Sequence, residues 1–231
     1  MKKNKEILLS EDKKLVSDIP QGKKQGLAGE KLNTSDSQRA SKTETQNVNS
    51  ANPSKQQLNS LLEYYQAGRY DDAENLAVSI TQGFPKKQFA WKVLGAIYKQ
   101  TGRISESLVA SQKSVQLAPQ DDEAHSNLGV TLQELDRFDE AEASYNRAIA
   151  LKADYVEAHN NLGVTLQKLG RLDEAEASLR QAIALKPDYA EAHSNLGVVL
   201  LNKGHHREGI NEKLIGAGAI SFDLNNGLSI L

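Results

Sequence analysis

Residues 122–155 read DEAHSNLGVTLQELDRFDEAEASYNRAIALKADY, and residues 156–189 read VEAHNNLGVTLQKLGRLDEAEASLRQAIALKPDY. One 34-residue unit is written twice, with identity at 25 of 34 positions. The period continues outward, because Gly95, Gly129, Gly163 and Gly197 are each 34 residues from the next. Self-similarity of this length marks an array of stacked units, each burying an apolar face against its neighbours. With the glycine of each Leu-Gly pair at position eight, the units are 54–87, 88–121, 122–155, 156–189 and 190 to about 223.

Within the third unit, Ala124, Leu128, Leu132 and Leu135 recur at helical spacing, as do Ala141, Tyr145, Ala148 and Leu151. Each unit is therefore expected to hold two short amphipathic helices. The break between them falls at Gly68, Gly102, Asp136, Gly170 and Gly204, residues that readily take the positive φ of a helix end. Pro85, Pro119 and Pro187 stand between units, where they cannot continue the preceding helix. Asp122, Asp139 and Asp173 stand near helix starts, where they cap or favour the dipole.

Trp91, Leu94, Gly95, Tyr98, Gly102 and Pro119 of the second unit follow the tetratricopeptide pattern, and this stretch resembles that repeat family. The third and fourth units keep Leu128-Gly129 and Leu162-Gly163, with Ala141 and Ala175 at the small-residue position, Tyr145 in the aromatic slot, and Ala148 and Ala182 further on. The resemblance covers roughly residues 54–205 and implies an all-α fold, a right-handed α-solenoid of about five helix-turn-helix repeats. Two departures stand out. The first unit has Leu61 in place of the glycine, and the second has Ser107, Ser111 and Ser114 where alanine or an aromatic is expected, which predicts a looser helix pair there.

Aromatic residues are only 5% of the chain, which a solenoid of small and aliphatic contacts tolerates. A net charge of −2 does not give the basic footprint of a nucleic-acid binder. The absence of cysteine excludes disulfides and thiolate chemistry. The basic start has only Ile7, Leu8 and Leu9 as an apolar run, too short for a secretory signal, and no stretch nears the length of a membrane span, so a soluble, cytoplasmic protein is expected.

Residues 1–53 are dominated by Lys, Ser, Thr, Asn, Gln and Gly, with ten basic against seven acidic residues. They are expected to be a disordered, solvated tail, a basic tether to an acidic surface being the other reading. The fifth unit, 190–216, is partial. Ile210, Leu214 and Ile215 share a face of a short helix over 206–215. In the tail 217–231, Ile220, Phe222 and Leu224 alternate with polar residues and Asn226-Gly227 signals a hairpin turn. Such a hairpin caps the last helices, pairs with another chain to give self-association, or frays.

His125, His159 and His193 recur in the slot of Trp91. Equivalent atoms of stacked helices are on the order of 10 Å apart, too far to share a zinc ion, so they are expected to pack between the helices of their own repeats, with no metal. His205 and His206 are expected to be exposed. Glu123, Glu157 and Glu191 recur in the first turn of each first helix, where the dipole favours acids.

Asn127, Asn161 and Asn195 form a third row, two residues after the histidines. The row is similar to the asparagine ladder in the repeat domain of O-linked N-acetylglucosamine transferases, which implies a concave groove whose amides hold an extended peptide. A carboxamide offers donor and acceptor together and can pair with a peptide unit whatever its side chain. The other reading is a row of water-facing polar residues that records duplication. Val130, Val164, Val198, Leu201, Gln133 and Gln167 are assigned to the same face, with Lys92, Ala96 and Lys99 upstream. The carboxylate clamp of heat-shock co-chaperones does not fit: Lys92 and Asn127 match, but Ala96, Glu157 and Asn161 replace its remaining polar and basic members.

No phosphate loop, nucleophile elbow or metalloprotease motif is found, and fewer than about 30 residues follow the last good repeat, too few for an enzyme domain. The expected function is a non-catalytic scaffold or adaptor that binds a protein or peptide segment, without cofactor, nucleic acid or membrane span. A self-assembling repeat protein, or the detached recognition arm of a glycosyltransferase-type system, are the alternatives.

Overall fold

The structure, a computed structural model, describes residues 52–218, 220–223 and 227–230. The tail expected over 1–53 lies outside these residues except for Asn52 and Pro53. Five helix pairs follow in order: α1 (Lys55–Gln66) and α2 (Tyr70–Gly83), α3 (Gln88–Gln100) and α4 (Ile104–Leu117), α5 (Asp122–Glu134) and α6 (Phe138–Leu151), α7 (Val156–Lys168) and α8 (Leu172–Leu185), α9 (Ala190–Asn202) and α10 (His206–Gly216). Two short antiparallel strands, β1 (Ile220–Asp223) and β2 (Gly227–Ile230), close the described chain, with Ile220 opposite Ile230 and Asp223 opposite Gly227. The expected hairpin thus pairs within the chain, and β1 lies against α10. The intervening turn, 224–226, is outside the described residues.

The five predicted breaks are where the helices stop. Gly68, Gly102, Gly170 and Gly204 have φ of 74°, 75°, 77° and 83°, and Asp136 has φ of 55°. After α5 the Asp136 N–H bonds the Gln133 carbonyl at 3.0 Å and the Arg137 N–H bonds that of Leu132 at 2.9 Å, so the last carbonyls are satisfied as the chain reverses. Starts are handled differently along the array. Ser54 and Gln57 form a reciprocal capping box on α1. Asp121, and not Asp122, caps α5 by accepting the Ala124 N–H at 2.9 Å, while Asp139 and Asp173 lie in the first turns of α6 and α8.

The first, third and fourth pairs close through a match of large against small. A Cβ on Gly129 would fall 2.7 Å from the Tyr145 ring, and one on Gly163 would fall 2.5 Å from Leu179 Cγ. In the first repeat the sizes are exchanged: Leu61 takes the glycine position and Ala77 the aromatic slot, and both are fully buried. The serine-rich second pair is as closely packed as its neighbours, contrary to the looser pair expected. Ser107 Oγ donates to the Gly95 carbonyl at 2.8 Å and meets Thr131 Oγ1 at 3.1 Å, and Ser114 Oγ accepts from Gln88 Nε2 at 2.9 Å. The buried hydroxyls of Ser107 and Ser114 are tolerated because both are hydrogen-bonded.

The last pair differs again. Gly209 is buried, and a Cβ there would fall 2.9 Å from the Gly197 carbonyl oxygen; one on Gly216 would fall 2.2 Å from Ser194 Oγ and 2.6 Å from the Ala190 carbonyl oxygen. The glycines make the close contact, and of the apolar face only Ile215 is half-buried. Ile210 is 52% exposed and Leu214 37%.

Between repeats, each second helix packs on the following first helix. Successive first helices also touch, from α1 to α3 and onward to α9, whereas the second helices show no comparable contact with one another among the described residues. The first helices therefore line the inner side of the solenoid. Outside, Arg103 reaches Glu74 at 2.7 Å, Arg171 reaches Glu142 at 2.5 Å and Lys203 reaches Glu176 at 2.7 Å, one repeat to the next.

Candidate functional site

Carried by the first helices, the asparagine row is less uniform than its spacing implies. Asn127, Asn161 and Asn195 are all half-buried. No hydrogen bond engages the carboxamide of Asn127 among the described residues. Asn161 Oδ1 accepts from Asn160 Nδ2 at 3.3 Å, and Asn195 Nδ2 donates to Asn160 Oδ1 at 2.9 Å. Asn160 is fully buried and also reaches Glu191 Oε1 at 3.4 Å. It joins two members of the row and fixes their rotation.

Asn160 belongs to a row that sequence reasoning missed, at position five of the unit: Lys92, Ser126, Asn160 and Ser194. Lys92 and Asn160 reach the following first helix or its cap, whereas Ser194 stands against Gly216 of α10. Lys92, expected on the groove face, is 6% exposed and is held by Asp121 Oδ2 and Glu123 Oε2, both at 3.1 Å. Burial pushes its pKa down, but the two carboxylates outweigh that and hold it above the ordinary lysine value. Lys92 is thus an internal tie, and the groove assignment is corrected. Glu123 and Glu191 face those ties, so their recurrence serves more than the helix dipole. The signal was available in the spacing, since Lys92–Glu123 and Asn160–Glu191 are each 31 residues apart.

Gln133 is also engaged, accepting from the Tyr145 hydroxyl and donating to the Asn161 carbonyl at 3.5 Å. Gln167, at the same register, has Leu179 in place of that tyrosine and makes no such bond among the described residues. Val130, Val164 and Val198 are half-buried. Lys99 is half-buried as well, its pKa lowered by burial against the weaker opposing pull of Glu134.

The histidines take the tryptophan slot for a polar reason. Trp91 Nε1 donates to the Pro85 carbonyl at 3.0 Å, and the Nε2 atoms of His125, His159 and His193 donate to the carbonyls of Pro119, Ala153 and Pro187 at 3.1, 3.0 and 2.8 Å. Each ring N–H ties its first helix to the turn six residues earlier, and the buried His193 also meets Glu212 of α10 at 2.6 Å, between the two helices of its own repeat as expected. His205 and His206 are exposed. Among the described residues no group of three or more His, Asp or Glu could hold a metal ion, and no helix is long and apolar enough to cross a membrane.

An array of helix pairs with an inner side lined by first helices is the architecture of TPR proteins. Residues 134–170 and 168–204 each match the family model described as TPR repeat. No curated protein matches the chain. Among solved structures, the fold is similar to MamA, with a TM-score of 0.63 and 23% identity over 68% of this chain and 92% of that one. A MamA fragment from Desulfovibrio magneticus RS-1 gives a TM-score of 0.65 and 16% identity, over 71% and 93% of the two chains. YrrB, described as a TPR protein with an unusual peptide-binding site, gives 0.61 and 19% over 70% and 84%. At these identities the likeness establishes the fold alone.

Proposed function

We propose that the protein is a non-catalytic scaffold that holds an extended protein segment along its inner face, with the amides of Asn127, Asn161 and Asn195 pairing with the segment's backbone. The observation that carries this reading is the contrast between Asn127 and Asn160. One asparagine spends its whole carboxamide inside the protein, while a half-buried one on the lining helix is left with both donor and acceptor unused. A partly desolvated amide gains when a peptide unit satisfies it. Asn161 and Asn195 keep part of their capacity and are already oriented by Asn160, and Val130, Val164 and Val198 supply apolar contact that does not depend on the bound sequence. YrrB, similar in fold, is described as having a peptide-binding site.

Pull-down with wild type against the Asn127→Ala/Asn161→Ala/Asn195→Ala variant tests the reading. At about 1 kcal/mol for each hydrogen bond to the bound backbone, the triple variant is expected to weaken binding on the order of a hundredfold. Asn127→Ala alone removes no internal bond, so its share of the loss cannot come from misfolding. Equal recovery of partners by all three proteins overturns the groove.

A further inference from the structure

Two lysines on α3 have opposite surroundings. Lys92 is satisfied by two carboxylates at 3.1 Å. Lys99, two turns further along the helix, makes no ion pair or hydrogen bond among the described residues, although it is half-buried and burial lowers its pKa. Glu134, exposed near the end of α5, favours the charged form from beyond ion-pair distance. The register explains the vacancy. Lys99 is the equivalent of Gln133, which is anchored by the Tyr145 hydroxyl and the Asn161 carbonyl. In the second repeat the tyrosine is replaced by Ser111, so the anchor is missing and the long side chain carries an ammonium that no carboxylate among the described residues pairs at ion-pair distance.

A partly desolvated cation without a partner is unfavourable, and an incoming carboxylate would relieve it. At the other end of the strip the same register is Leu201, beside Val198. The lining therefore runs from cationic over the second repeat, through amide, to apolar over the fifth.

Building on the groove proposed above, we infer that Lys99 receives an aspartate or glutamate side chain of the bound segment, and that this pair fixes the segment's register and direction. The ligand class is an extended peptide, acidic at the end over α3 and uncharged or apolar at the end over α9. Asn127, on the next first helix, holds the backbone beside that pair.

The test pans a phage-displayed library of random peptides on the full chain, on Lys99→Gln, on Lys99→Arg and on the triple asparagine variant. Lys99→Gln installs the residue found at this register in the third and fourth repeats, so the fold is kept. The expected result is an Asp or Glu enriched at one aligned position with wild type and Lys99→Arg and absent with Lys99→Gln. A synthetic peptide from the wild-type selection is expected to bind Lys99→Gln about tenfold more weakly, and its Glu→Gln version to lose the same factor on wild type and nothing further on Lys99→Gln. Peptides that depend on the asparagines but show no acidic position, or bind Lys99→Gln undiminished, overturn the Lys99 pair and leave the groove standing. Peptides indifferent to the triple asparagine variant overturn the groove, and this inference with it.

Discussion

The third and fifth repeats perform the same step of the solenoid with opposite materials. In the third, α5 and α6 close by size: the fully buried Tyr145 fills the space that Gly129 leaves. In the fifth, α9 and α10 close backbone to backbone on Gly197, Gly209 and Gly216, and an imidazole bridge stands in for the missing aromatic, with His193 Nδ1 donating to Glu212 Oε2 at 2.6 Å. The aromatic slot of the fifth repeat is Lys213, exposed, with its Cγ 2.5 Å from where a Cβ on Gly197 would fall. A repeat array needs each pair to be filled, and it does not need them to be filled by the same residues.

The sharpest way to break the interior pair is Tyr145→Ala. Removing a fully buried aromatic side chain is expected to cost about 3–5 kcal/mol in chemical denaturation. The first repeat supplies the repair. Because Leu61 over Ala77 is the reversed version of Gly129 under Tyr145, Gly129→Leu added to Tyr145→Ala should recover a substantial part of that loss, whereas Gly129→Leu alone is destabilising by about 1–3 kcal/mol. No recovery in the double variant would show that the two size patterns are not interchangeable and that each is tied to its own neighbours.

The second effect belongs to the terminal pair. Gly216→Ala places a methyl group where Ser194 Oγ and the Ala190 carbonyl stand. Alanine favours a helix by up to about 1 kcal/mol over glycine, so the sign is decided by whether α10 can move away. Backbone atoms block the site, and a net loss of about 1–2 kcal/mol is expected. Hydrogen exchange should place it in α9 and α10, with protection in α5 and α6 unchanged. Faster exchange along the whole array would mean that the terminal pair is not a separable unit.

These contrasts also show what the sequence could reveal. The turn positions were legible because only a few residue types accept positive φ, and the glycine and the aromatic slot were legible as register positions, but that one closes against the other was not. The serines of the second repeat misled, since composition does not reveal that Ser107 and Ser114 find partners. Lys92 misled for a geometric reason. Neighbouring residues on a helix differ by about 100° in direction, so one position separates the row of Asn127 from the tie row of Lys92 and Asn160. Periodicity locates both rows equally well, and only packing tells which row is engaged inside the protein. The histidine slot was legible as a slot, but the N–H it shares with tryptophan could not be recognised before the accepting carbonyls were in place.

The smallest effect is the one with a pH axis. His193 has two acceptors and no donor around its ring, the Glu212 carboxylate and the Pro187 carbonyl, so a neutral imidazole must give up one of its two bonds. The hydrogen bond to Glu212 is the main cause of its raised pKa, opposed by burial and aided by the Pro187 carbonyl. A pKa raised by folding means that the clasp contributes fully below the unfolded value near 6.5 and is lost as pH climbs through the folded value. Protection of the α10 amides, corrected for intrinsic exchange, should therefore fall as pH rises above about 6.5, and Glu212→Gln should flatten that dependence while shifting the His193 titration in NMR to lower pH. The interior pairs provide the comparison for the substitution: neither the His125 nor the His159 ring hydrogen-bonds a carboxylate among the described residues, and Glu212→Gln should leave α5 to α8 unchanged. If α10 protection follows pH in the same way in Glu212→Gln, the terminal pair is held by its glycine contacts alone, and the imidazole bridge adds nothing to what close backbone packing already provides.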